Sequence, residues 1–415
     1  MKILLKKATV INSQSNFHFQ QVDLLIDSGK IVQIATDIDS SDAKVIQKPN
    51  LHVSCGWFDS SVCFGEPGFE ERETLANGLR TASKSGFTDI ALEAVGQPVT
   101  DSQSAVIHLK QAGQHTATHI HPIACFTKGQ QGTHLTEMYD LQNHGAIAFG
   151  DFNQGIKNAE VLRTGLLYAQ RFNGLIIASP QDAYVGAKGV AHEGITSTQL
   201  GLSGIPSLNE ILQLQRDIEL LTYTGGKLHI PFISTAESVE MIRKAKKKGL
   251  AISCSVALAN LCLTEEDIHG FNTDRKLSPP LRSKKDQAAL KEGILDGTID
   301  LISAHHQPLN IELKHTEFEH ANPGTIGLEA MFGVLNTIFP TEKAIQLLTK
   351  GKTIFGLKST SIAEGEKAVL TLFNPEGNSV FNTTNILSTS KNCAFIGLPT
   401  QGSVYGVIHE NQIQL

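Results

Sequence analysis

The fold class predicted for this chain of 415 residues is α/β: a (β/α)8 barrel carrying a small β domain formed by both chain ends. Two observations predict it. Through the middle of the chain, strand-like apolar runs alternate with helix-length amphipathic stretches. Alternation over roughly 300 residues implies a parallel sheet, and seven or eight such units favour a closed barrel over an open sheet. The two ends, by contrast, read as short strands separated by turn signals.

The expected barrel strands are Thr88–Leu92, Ile120–Phe126, Ala146–Phe149, Leu175–Ala178, Leu228–Ile233, Ala251–Val256 and Ile299–Ser303. Between them lie helical patterns such as Glu70–Ser85, Ser207–Leu221, Ala236–Lys248 and Asp286–Leu295, the last with Ala289, Leu290 and Ile294 on one face. The end strands are Lys2–Ile11, Gln21–Ile26 and Lys30–Ile34, then Ala368–Phe373, Cys393–Ile396 and Val404–Ile408. The domains that follow are a small β-sandwich of residues 1–53 plus 365–415 and a barrel of residues 54–364. No G-x-G-x-x-G opens a helix after the first strand, which weighs against a dinucleotide fold.

Composition narrows the function. The formal charge is −6, with no basic excess or stripe, which argues against nucleic-acid binding. No apolar run reaches the roughly 18 residues of a membrane span. The six cysteines are scattered without a C-x-x-C, as expected of reduced thiols in a cytoplasmic protein. Sixteen histidines invite a metalloenzyme hypothesis, since histidine is the commonest metal ligand.

An ordered set of motifs decides where those histidines matter. Asp59 with Glu66-Pro67-Gly68 comes first, then Thr127-Lys128-Gly129, Gly145–Phe149 with Asp151, and His192-Glu193-Gly194. Leu200–Pro206 follows, with Glu210, Arg216 and Asp217, then Ser234-Thr235-Ala236, Leu263–Asp267, Pro279–Arg282 and Gly327–Glu329. In order and spacing the chain resembles the dihydroorotases of the amidohydrolase superfamily, in particular the multifunctional-complex type. The resemblance implies a metal-dependent-hydrolase barrel with a binuclear zinc site at the C-terminal mouth. There zinc polarises a cyclic amide and lowers the pKa of its water, and an aspartate moves the proton.

Most of the implied site residues are replaced. The two histidines of the first motif correspond to Ser61 and Cys63, the third to Ser179, the fourth to Phe232, and the catalytic aspartate to His305. Only the bridging carboxylate, Asp151, is kept. Neutral serine is a poor zinc ligand and phenylalanine is none. The substrate-gripping arginine corresponds to Gly65, and two substrate asparagines to Val95 and Ser278. No cofactor is therefore expected. A relic one-metal site, if any, would be Cys63, Asp151 and His305, which offer S, O and N donors.

The functional expectation is a catalytically inactive dihydroorotase homologue of pyrimidine biosynthesis. By family analogy it would be a homodimer and a structural or regulatory partner of aspartate transcarbamoylase. The alternative is a working cyclic amidohydrolase with a rebuilt one-metal site; a ligand-binding sensor reusing the mouth is a third reading. Two further features stay open. His119-Ile120-His121 places two imidazoles on one strand face, as a ligand pair or as hydrogen-bonded side chains. His305-His306 points its two rings to opposite faces, so His306 is expected to hold barrel structure. Cys63 as a nucleophile would need a base such as His305. Asp182 and Glu193 read as structural carboxylates.

Overall fold

A computed structural model describes residues 2–415. Eight parallel strands form the barrel: Trp57–Val62, Phe87–Leu92, His119–Ala124, Ala148–Phe149, Leu175–Ile177, Lys227–Ile230, Ile252–Ala257 and Leu301–Ser303. The ring closes where Val62 bridges His306 in parallel and Ser303 Oγ donates to Asp59 across the seam (2.5 Å). The first two strands, Trp57–Val62 and Phe87–Leu92, are buried on both faces, as a helix-covered parallel sheet requires, although they carry Asp59, Ser60, Ser61, Thr88 and Asp89 among their apolar residues.

Helices around the barrel start where a side chain can satisfy their free N–H groups. Thr74 caps Leu75–Lys84, Thr235 caps Ala236–Lys247, and Ser283 with Asp286 forms a capping box on Lys284–Leu295. The first of these begins five residues later than the pattern from Glu70 suggests. Residues 70–74 are used to tie the first loop instead. Glu73 carbonyl accepts from Gly65 N and Glu66 N, and the Glu73 carboxylate holds Thr389.

The β domain draws strands from both ends, in the order Gln412–Gln414, Pro399–His409, Val369–Val380, His52–Cys55, Lys2–Ile11, Gln21–Asp27 and Lys30–Ala35, with Lys44–Ile46 pairing in parallel with Lys2–Ile11. Hydrogen bonding runs through all of them without a break. The expected sandwich is thus one continuous sheet, lining a core that includes Ile3, Leu5, Leu24, Ile26, Val53, Leu370, Leu372 and Ile408.

Two expectations for the C-terminal stretch change. Cys393–Ile396 is not a strand. It is a buried turn whose backbone is held by side chains, with Ala394 N donating to Thr325 Oγ1 (2.9 Å) and Phe395 fully buried. Phe381, Ile386, Cys393, Ala394 and Phe395 also belong to the barrel core, so residues 381–398 pack with the barrel although they lie inside the 365–415 span. Their apolarity reports burial, which strands and buried turns share.

Candidate active site at the barrel mouth

Every metal-ligand and catalytic position implied by the resemblance falls at or just beyond the C-terminal end of a barrel strand. Ser61 and Cys63 end the first, Asp151 follows the fourth, Ser179 the fifth, Phe232 the sixth and His305 the eighth. This is where a barrel of this class places its chemistry. The side chains found there are engaged with one another or with backbone.

Ser61 Oγ donates to Glu93 Oε1 (2.7 Å), and both residues are buried. Asp59 accepts from Ser61 N (3.0 Å), Ala304 N (2.7 Å) and Ser303 Oγ. Burial pushes Asp59 up to about 6. Burial, with Asp59 adding to it, pushes Glu93 up to about 7. The Cys63 thiol is raised well above its ordinary value by burial and by the Glu93 and Asp59 carboxylates. It is a neutral packing group at neutral pH, which removes it as a nucleophile. Glu93 is the site residue that motif reading missed. It stands immediately after a barrel strand, and a carboxylate following an apolar strand was the available signal.

Asp151 is kept, but its oxygens are occupied. Oδ1 accepts from Phe126 N and Thr127 N, both at 2.9 Å, and Oδ2 accepts from Thr127 Oγ1. Burial raises its pKa against these bonds. Ser179 Oγ donates to the Phe152 carbonyl (3.2 Å). Phe232 lies flat on His305, with ring centroids 3.8 Å apart and planes 18° from parallel. Both residues have positive φ, 53° and 48°, so the two turns that bring these rings together adopt an uncommon backbone. Burial lowers the His305 pKa to about 3, and its Nε2 is buried without a partner.

These residues do not fit the zinc that the family implies. A ligand set needs several donors with free lone pairs converging on one point. Here one implied ligand position donates to Glu93, another is a phenyl ring, and the kept carboxylate already accepts three hydrogen bonds from its own strand-end loop. Nor does the relic trio form. Among the described residues, one group of three possible ligand side chains has its donor atoms within 4.8 Å of one another, and it is Asp89, His119 and His409. Cys63, Asp151 and His305 are not brought together in that way.

The substrate positions are equally changed. Val95 N is tied to the Glu93 carbonyl (2.9 Å), and Ser278 lines a cleft beside the mouth with Ser179, Gln181, Asn209, Phe232 and Arg282. At Gly65 a Cβ would stand 1.8 Å from the Phe69 carbonyl oxygen. No side chain, arginine least of all, fits this loop as built. Gly65→Ala is therefore expected to destabilise the chain by about 1–3 kcal/mol, the usual cost of overpacking, as a downward shift of the urea midpoint.

The motif residues that are kept hold loops together. Arg282, buried, bonds Ser234 Oγ, His192 Nδ1 and the Ile205 carbonyl, each at 3.0 Å. Glu210 accepts from Ser234 N and Thr235 N. His306 Nδ1 accepts from Gly327 N (3.1 Å), the structural role expected of it. Asp182 accepts from Tyr184 N and Val185 N. At the opposite, N-terminal end of the barrel, His121 Nε2 meets Asp89 Oδ1 (2.8 Å) and Lys352 Nζ meets Asp89 Oδ2 (2.7 Å). Burial works to raise the Asp89 pKa, but Lys352 and His121 hold it well below the ordinary carboxylate range. Burial and the neighbouring His409 lower His119 to about 4.

Fold and mouth together define a barrel of the amidohydrolase type. The chain matches the Dihydro-orotase-like family over residues 52–238. It is 34% identical to a dihydroorotase of Pelotomaculum thermopropionicum, covering 98% of this chain and 97% of that one. It is 36% identical to a dihydroorotase of a Geobacillus species, covering 97% and 96%. Among solved structures it is similar to an L-hydantoinase from Arthrobacter aurescens, with a TM-score of 0.85 at 19% identity over 99% of this chain and 95% of that one. The chain belongs to the dihydroorotase-like family. Among the described residues no helix is long and apolar enough to cross a membrane.

Proposed function

We propose that this chain is a catalytically inactive dihydroorotase homologue that serves pyrimidine biosynthesis as a structural or regulatory partner, of aspartate transcarbamoylase by family analogy, and as a homodimer. The observation that carries the reading is the Phe232–His305 stack, which puts two packed rings where a ligand and the catalytic aspartate belong. The hydrogen bonds from Phe126 and Thr127 to Asp151 and the Ser61–Glu93 bond support it. A fold supplies no chemistry without its site.

One observation favours the alternative of a working cyclic amidohydrolase with a rebuilt one-metal site. His305 Nε2 is buried and unpartnered. To use it, Asp151 would have to leave Thr127 and Phe126, and the Cys63 thiol would have to ionise against burial.

The test combines turnover with assembly. The purified chain is expected to leave dihydroorotate unhydrolysed with or without added zinc. It is also expected to co-elute with aspartate transcarbamoylase in gel filtration. Hydrolysis that is lost on chelation and restored by zinc would overturn the inactive reading. Separate elution of the two proteins at micromolar concentration would overturn the partnership.

A further inference from the structure

Three imidazoles and a carboxylate meet at the N-terminal end of the barrel, remote from the mouth. Asp89 comes from the second barrel strand, His119 and His121 from the third, and His409 from the end of strand Pro399–His409 of the β domain. Strand pairing sets Asp89 directly beside His119. The His119 and His409 rings lie 3.7 Å apart between centroids. One donor atom from each of Asp89, His119 and His409 lies within 4.8 Å of the others. A tetrahedral zinc with bonds of about 2.0–2.1 Å holds its donors about 3.4 Å apart, so the donors stand within about 1.4 Å of that spacing, and the two imidazoles must turn to aim at one ion.

The tautomer of His409 is suited to ligation. Its Nδ1 stands 3.3 Å from the Thr88 carbonyl oxygen. A carbonyl only accepts, so Nδ1 carries the proton and Nε2 keeps its lone pair. An imidazole that donates its far N–H to a backbone carbonyl is the usual arrangement behind a metal ligand. On the His119 side the cluster borders solvent, while Asp89 and His409 are buried behind it. His119 and His121 line an open cleft of about 470 Å³ together with Lys110, Gln111, Gln114 and His144.

We infer that Asp89, His119 and His409 form a site for a divalent transition-metal ion of the zinc type, joining the barrel floor to the β domain. His121 stands beside it on Asp89 Oδ1 as the second donor of the same strand face. Nitrogen and oxygen donors of this kind suit zinc, nickel or copper and disfavour magnesium or calcium. Lys352 sets the strength. Its ammonium lies on Asp89 Oδ2, to which Thr88 Oγ1 also donates (2.7 Å), and it competes with the cation for that carboxylate. The site is therefore weak in the native chain, and Lys352, the fixed positive charge on Asp89, is the main opponent of the cation.

The experiment titrates chelator-treated full-length protein with zinc chloride by calorimetry and repeats the titration with cobalt chloride by absorption spectroscopy. One zinc per chain is expected. Cobalt is expected to give visible ligand-field bands without a thiolate charge-transfer band, which separates this site from any use of Cys63 at the mouth. His119→Ala and His409→Ala should each weaken zinc binding by more than about tenfold, at least what loss of a supporting partner costs, while Cys63→Ala leaves it unchanged. Lys352→Met should tighten binding, a gain that misfolding cannot mimic. Zinc binding that survives both histidine substitutions, a thiolate band with cobalt, or unchanged affinity in Lys352→Met would each overturn the assignment. None of these readouts depends on dihydroorotate turnover.

Discussion

Trp57→Ala lowers the stability of the chain by about 3–5 kcal/mol, the cost of emptying a fully buried large aromatic site. Trp57 is the single tryptophan and is completely buried. It opens the first barrel strand, and its ring joins three elements. Phe87 meets it edge-on at 6.1 Å from the second strand, Phe332 at 5.0 Å from helix Leu328–Ile338, and Phe373 at 5.8 Å from the β-domain strand Val369–Val380. Its indole N–H donates to Ser54 Oγ (2.9 Å), and its own backbone N–H donates to Thr371 Oγ1 (3.3 Å). Gly86 is a glycine partly because a Cβ there would come 2.5 Å from the indole. Truncation removes the packing common to barrel and β domain and leaves the Ser54 hydroxyl with only its bond to the Cys55 carbonyl. A domain is stable by only about 5–15 kcal/mol, so this is a large fraction of the total. The measurement is urea unfolding followed by far-ultraviolet circular dichroism, since the variant lacks the fluorophore. Trp57→Phe keeps most of the ring and should cost less than half as much. A midpoint for Trp57→Ala within error of the native one would show that the two domains do not share this core.

The barrel was legible in the sequence because strands buried on both faces and amphipathic helices have different periods, and that contrast survives without coordinates. Segment ends were less legible. The helix from Leu75 starts late because Glu73 and Thr74 are spent on tertiary and capping bonds, which no periodicity records. Cys393–Ile396 looked like a strand because a buried turn is as apolar as one. At the mouth, motif order indicated the C-terminal rim, and the five replaced positions and Asp151 all lie there. It did not show what the replacements do, because hydrogen bonds such as Ser61 to Glu93 join residues 32 apart in sequence. The retained motif residues share a physical logic. Arg282, Glu210 and His306 bind backbone or loop side chains, and so does Asp151 through Thr127. The position that could have served both metal and scaffold is the one that stayed. His119 and His121 stood on one strand face as the sequence indicated, but His409, almost three hundred residues away, came to them only through the fold.

Glu93→Gln removes a pH dependence of stability of roughly 3 kcal/mol between pH 4.5 and 7. Burial, assisted by Asp59, raises Glu93 from its ordinary 4.5 to about 7. Each unit of difference between folded and unfolded states corresponds to about 1.4 kcal/mol. The folded-state pKa is the higher one, so the native chain holds its proton more tightly than the unfolded chain. Below pH 4.5 both states are protonated and stability is at its full value. As pH rises the unfolded state ionises first, and stability falls until the native carboxyl also ionises near pH 7. Glutamine is uncharged throughout and can still accept the Ser61 Oγ hydrogen bond, so the variant keeps the packing and loses the slope. Asp59, pushed up to about 6, retains a smaller slope of the same sign. Urea midpoints at pH 5 and pH 8 decide the matter. The native chain should lose more stability than Glu93→Gln over that interval, and the variant should be the more stable of the two at pH 8. Equal losses would mean that Glu93 ionises as a solvated glutamate does. The consequence reaches the mouth itself. An acid about half protonated at neutral pH, bonded to a serine at a former ligand position, supplies neither the charge nor the free lone pairs that hold a zinc ion. At this end of the barrel a neutral carboxyl bonded to Ser61 is the more stable state, which is the condition that the proposed metal-free reading needs.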